Sequence, residues 1–162
     1  YADAVRLFAA ELTKEEDKPK PDWKRLSYYN SYLGLAHEKA GQYDKALEFH
    51  HKSLAIKLKK LGKDHPRVAS SYMGIASVHY AKGEYDKALE LYNKSLAIKL
   101  KKLGKDHPSV ALTYYNMGIA YGQLKNVIKE KELLRKAYAI QLEKLGKDHP
   151  DTKKTAKELA SP

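Results

Sequence analysis

The chain contains no cysteine, which excludes disulfides, thiol nucleophiles, cysteine-ligated zinc and iron–sulfur clusters. It has no apolar run near the roughly 20 residues that a membrane-spanning helix needs, and no segment resembling a secretory signal. Also absent are GxSxG, a phosphate-cradling glycine loop, HExxH and a calcium-loop pattern. Without these motifs there is no visible catalytic machinery and no cofactor to expect. The reading is of a non-enzymatic, soluble, cytoplasmic protein. Its 162 residues suit a single domain with a sizeable core.

What is present is positive charge. Lys and Arg number 31 against 20 Asp and Glu, for a formal net charge of +11. Two clusters carry most of the excess: Lys57, Lys59, Lys60 and Lys63, then Lys99, Lys101, Lys102 and Lys105. Their equivalent spacing implies a basic ridge along one edge. A ridge of this kind either solubilises the surface or attracts nucleic acid. With no Arg or aromatic interleaved for base stacking, the solvated-face reading is favoured.

The clusters belong to a longer duplication. Glu84 through Pro108 repeats Gln42 through Pro66 at an offset of 42 residues, with only Gln42/Glu84, Phe49/Leu91, His50/Tyr92 and His51/Asn93 differing. A weaker third copy of the trailing half follows at Ala139–Pro150. A fixed period of this size signals stacked supersecondary units that share buried surface with their neighbours.

Within each period the apolar spacing is helical. Ala4, Val5, Leu7, Phe8 and Leu12 make a stripe over residues 1–15, followed by a polar loop with Pro19 and Pro21. Asp22 is a plausible N-cap for a helix to about Lys39, closed by Gly41. Further helices are expected at 43–61, after Pro66, at 85–103, 109–124, 126–145 and 151–160. Each turn of the Gly-Lys-Asp-His-Pro type places Pro in the first helical turn, with Asp64 or His65 free to cap the amides. The expected fold is all-α, with about eight helices and no strand.

These residues resemble the tetratricopeptide family in its lengthened form, as found in kinesin light chains and bacterial scaffold proteins. The resemblance rests on Asn30, Leu33, Gly34, His37, Gly41, Tyr43 and Ala46; on Tyr72, Ile75, Ala76, His79, Gly83, Tyr85, Ala88 and Tyr92; and on Tyr114, Met117, Gly118 and Tyr121. It implies a right-handed α-solenoid of antiparallel helix pairs. Residues 1–15 would form a trailing helix, 22–61, 65–103 and 107–145 three repeats, and 149–162 a capping segment. Gly34, Ala76 and Gly118 would let paired helices approach. Lys125 and Glu130 depart from the pattern, which leaves a looser third pair as the expectation.

The resemblance further implies that the leading helices line a groove receiving a peptide. The corresponding positions are Tyr28, Ser31, Tyr32 and Leu35, then Ser70, Met73, Ser77 and Tyr80, then Leu112, Tyr115, Asn116 and Ile119. Tyr28, Tyr32 and Tyr115 are read as groove residues; Tyr29, Tyr72 and Tyr114 as packing. The groove set contains no Lys or Arg, which argues against the capture of carboxylate tails and for a hydrophobic or amphipathic segment. Near-identical stacking faces leave end-to-end self-association as the alternative. The once-per-repeat His65, His107 and His149 are too far apart to share a metal, and the adjacent His50 and His51 point apart on their helix.

Overall fold

The computed structural model describes residues 2–161, so Tyr1 of the expected first helix and Pro162 of the expected last segment lie outside the described residues. Among the described residues the chain forms eight helices and no strand. They are α1 Ala2–Glu16, α2 Trp23–Lys39, α3 Tyr43–Leu61, α4 Pro66–Ala81, α5 Tyr85–Leu103, α6 Pro108–Gln123, α7 Val127–Leu145 and α8 Pro150–Ala160.

At α2, α4, α6, α7 and α8 the helix start is set by a side chain that accepts an otherwise unpaired amide. The Asp22 carboxylate accepts the Lys24 N–H at 2.8 Å. At the three His-Pro turns the histidine, rather than the preceding aspartate, is the cap. His65 Nδ1 accepts the Arg67 N–H at 3.0 Å, His107 Nδ1 the Ser109 N–H at 3.0 Å, and His149 Nδ1 the Asp151 N–H at 3.2 Å. His107→Ala is therefore expected to lower unfolding free energy by about 0.5–2 kcal/mol. Urea denaturation would show it, with His107→Asn retaining most of the lost stability.

Helix ends depend on the left-handed region. Gly41 and Gly83 take φ of +72° and +79° between paired helices, and Lys125 takes +60° at the same place in the third pair. A side chain in that conformation costs roughly 1–2 kcal/mol.

The paired helices α2/α3, α4/α5 and α6/α7 pack most extensively. Each pair then packs on the next through α3/α4, α5/α6 and α7/α8, while α1 lies against α2. The core is correspondingly serial. One cluster joins Leu54, Val68, Ile75 and Ile98 across α3, α4 and α5; another joins Ala76, Tyr92, Met117 and Leu133 across α4 to α7. This is an all-α repeat stack in which each layer completes the buried surface of its neighbour.

Two glycines set how closely paired helices approach. A Cβ on Gly34 would lie 2.7 Å from His50 Nδ1, and one on Gly118 would lie 3.0 Å from Leu134 Cγ. The looser third pair expected from Glu130 is not found, because Gly122 makes room for it. A Cβ there would come within 2.8 Å of the Glu130 carboxyl carbon. The equivalent positions in the earlier repeats carry Glu38 and Tyr80, so one small residue compensates one large one.

Candidate partner-binding groove

The leading helices α2, α4, α6 and α8 contribute most of the residues lining three adjoining depressions. On α2, Tyr28 is 55% exposed, and Tyr32 and Leu35 are also exposed. On α6, Leu112 is 48% exposed. Ser70 is open, and Ser31, Met73, Ser77, Tyr80, Asn116 and Ile119 are half-buried. Tyr32 is backed by Phe8 of α1, with ring centroids 3.9 Å apart.

Tyr115 differs from the sequence expectation of an open groove residue. It is only 8% exposed, packed with Leu134 and Ala137, and Lys154 of α8 places its ammonium 4.8 Å from the ring centroid. The short last helix supplies that cover, and its polar composition gave no sign of it. Tyr29, Tyr72 and Tyr114 are half-buried packing residues.

Two lysines leave the outer ridge to which the sequence pattern assigned them. Lys57 and Lys99 occupy one register position, whose other members are Glu15 and Gln141, each 42 residues from the next. All four turn inward. Glu15 accepts the Asp22 N–H at 2.8 Å, and the Lys18 ammonium followed by that amide holds its carboxyl below the usual range. Lys57 Nζ donates to Ser31 Oγ and Ser71 Oγ, each at 3.0 Å. Lys99 Nζ donates to Thr113 Oγ1 at 2.9 Å and to the Ser109 carbonyl at 3.2 Å. Burial lowers the Lys99 pKa from 10.5 to about 8, and lowers that of Lys57 with Arg67 adding repulsion.

What distinguishes the two lysines is the roof. Ser31 and Ser70 beside Lys57 become Met73 and Leu112 at the next junction, where Thr113 Oγ1 reaches Met73 Sδ at 3.6 Å. Lys99 is sealed at 3% exposure, whereas Lys57 borders an open cavity of about 410 Å³ between α2 and α4. Lys24 and Arg67 line the same cavity. The sequence reading of a groove without basic residues is thus corrected: the cations arrive from trailing helix α3 and from the first turns of α2 and α4. Lys57 lies four residues after buried Ser53 and seven after buried His50, and that helical spacing was the available signal.

His50 closes the inner wall of this cavity, and burial pulls its pKa down to about 4. Its Nε2 lies 4.0 Å from the Glu38 carboxylate, which instead accepts the Ser77 hydroxyl at 2.6 Å. A second cavity of about 330 Å³ is walled by Ser77, Tyr80, Tyr92, Tyr115 and Asn116. Burial raises the Tyr80 and Tyr92 pKa values. Hydroxyls and ring faces line the second cavity, and hydroxyls and cationic side chains the first.

Residues 25–101 and 69–143 both match a family model described as Tetratricopeptide repeat. The chain belongs to the tetratricopeptide repeat family. Its members generally serve as non-enzymatic protein-interaction scaffolds. Among solved structures, this tetratricopeptide chain is similar to BtubC (BKLC) from P. vanneervenii, with a TM-score of 0.86 and 24% identity. That match covers 98% of this chain and 63% of the other, so the chain spans less than two thirds of that protein. A protein described as a kinesin light chain from Podosopora anserina, with nearly identical TPR-like repeats, matches at TM-score 0.79 and 28% identity. The match covers 98% of this chain and 75% of that one. A variant of the same protein matches at 0.80 with equal identity and coverage. Among curated proteins none matches the chain. No helix among the described residues is long and apolar enough to cross a membrane.

Proposed function

We propose that the chain is a protein-interaction module that holds a peptide segment of a partner along α2, α4 and α6. The observation that carries this reading is the exposure of Tyr28, Tyr32, Leu35 and Leu112 on leading helices, beside cavities whose lining includes Lys57, Arg67, Ser70 and Asn116. Exposed rings supply contact area at low entropic cost, and half-buried Asn116 can hydrogen-bond a peptide backbone. The segment that fits is amphipathic, with apolar side chains against Tyr28 and Leu112.

The test is selection of a random peptide library on the immobilised chain, followed by fluorescence anisotropy of the recovered sequences. Combined Tyr28→Ala, Leu35→Ala and Leu112→Ala is expected to weaken binding at least tenfold, with the circular dichroism spectrum unchanged. Peptides that bind the triple variant as tightly as the original chain would overturn the reading. Tyr115 is unsuited to this test, because truncating a buried ring would disturb packing under α8 as well as the groove.

A further inference from the structure

We propose that the cavity between α2 and α4 is a binding site for a phosphate monoester dianion carried on a side chain of the bound peptide. This rests on the groove reading above for how the phosphate arrives. The site itself is defined by the charges around the cavity.

Three cationic side chains line the cavity with no carboxylate among the lining residues. Lys24, Lys57 and Arg67 make no salt bridge among the described residues, whereas the exposed lysines Lys52, Lys94 and Lys136 each pair with a glutamate one turn away. Lys57 cannot swing out to water without breaking its two serine bonds, so a fixed positive charge stands at the cavity floor.

The donor arrangement favours phosphate over carboxylate. Ser31 is committed: it lies 2.7 Å from Ser53 Oγ, which itself donates to the Ser27 carbonyl, leaving the Ser31 proton for Ser53. Ser70 and Ser71 are not committed, holding only long bonds of 3.3 and 3.4 Å to the carbonyls of Pro66 and Arg67. Turned inward, both can donate, alongside the remaining Lys57 proton and the Arg67 guanidinium. A phosphate offers three strong acceptor oxygens and close to two negative charges for these groups. A carboxylate offers two oxygens and one charge. At the neighbouring junction, where Met73 and Leu112 stand in place of Ser31 and Ser70, the equivalent lysine, Lys99, is buried.

The test uses the whole chain and two small probes, N-acetyl-phosphoserine methylamide and N-acetyl-glutamate methylamide, followed by amide chemical shifts. The phosphoserine probe is expected to saturate shifts at Ser27, Ser31, Ser70 and Ser71, at least fivefold tighter than the glutamate probe. Lys57→Gln and Arg67→Gln should each weaken it severalfold with the remaining spectrum intact. Equal affinity for the two probes, saturable shifts elsewhere only, or binding indifferent to both substitutions would overturn the inference. If Lys57→Gln disturbs the fold, the surface substitutions Arg67→Gln and Lys24→Gln together carry the same test. Because neither probe is long enough to span the groove, probe binding without recovery of any library peptide would remove the groove reading alone. Recovered peptides with no probe response would remove the phosphate site alone.

Discussion

Replacing Lys99 by Met is expected to stabilise the chain by about 2–3 kcal/mol at pH 7, an advantage that shrinks as pH rises. The lysine is buried with hydroxyl and carbonyl partners but no counter-ion, and its pKa falls from 10.5 to about 8. At about 1.4 kcal/mol per tenfold change, that fall amounts to roughly 3 kcal/mol against folding while the ammonium is protonated. The sign follows from proton counting. Between pH 8 and 10.5 the unfolded chain holds the proton and the folded chain releases it, so wild-type stability rises across that window; below it the full penalty applies. Met matches the volume, and Thr113 Oγ1 keeps its bond to the Ser109 carbonyl at 2.9 Å. Urea unfolding of both proteins at pH 7, 8.5 and 9.5 measures the difference, and buried tyrosines cancel because both proteins contain them. A constant difference, or none, would refute the account.

Leu134→Ala is expected to cost about 2–5 kcal/mol, the range for emptying a fully enclosed leucine site. Leu134 has no solvent exposure and fills the space left by Gly118, against Tyr115 and Ala137. The backbone of α6 is already as close as Gly118 permits, so the wall cannot collapse far into the cavity. Because a repeat stack gains stability from nearest-neighbour contacts, the loss should appear first in α6, α7 and α8. Hydrogen exchange would show protection falling there while α2 and α3 keep theirs; a uniform fall would contradict serial packing.

The helices were legible because their punctuation is local. Gly41, Gly83 and the His-Pro turns act within a few residues of themselves, so their meaning survives without tertiary information. Glu130 was misread because its remedy, Gly122, lies on the opposing helix of the pair. Lys57 and Lys99 were misread for a related reason: a lysine in a lysine-rich run reads as solvated, and only the serines and threonine of neighbouring helices turn it inward. Tyr115 enters the groove set through the family resemblance, while its cover lies on the short, polar helix Pro150–Ala160, whose Lys154 ammonium stands 4.8 Å from the ring centroid and whose Leu159 packs against its cluster. Contacts confined to one turn could be read from order alone; contacts between turns far apart in the chain could not.

The fit of His50 beneath Gly34 and Gly74 bears on how a chain with duplicated segments avoids pairing with the wrong copy. Exchanging the two copies would drive the Tyr92 ring toward Gly34, where even a methyl group meets its neighbour, and would set an imidazole in the apolar surroundings of Ala88 and Met117. Three of the four differences between the copies fall at residues 49–51 and 91–93, so a single helical turn serves as an address label. Frame-shifted intermediates are thereby penalised at the moment of docking, when near-identical modules are otherwise most prone to kinetic trapping.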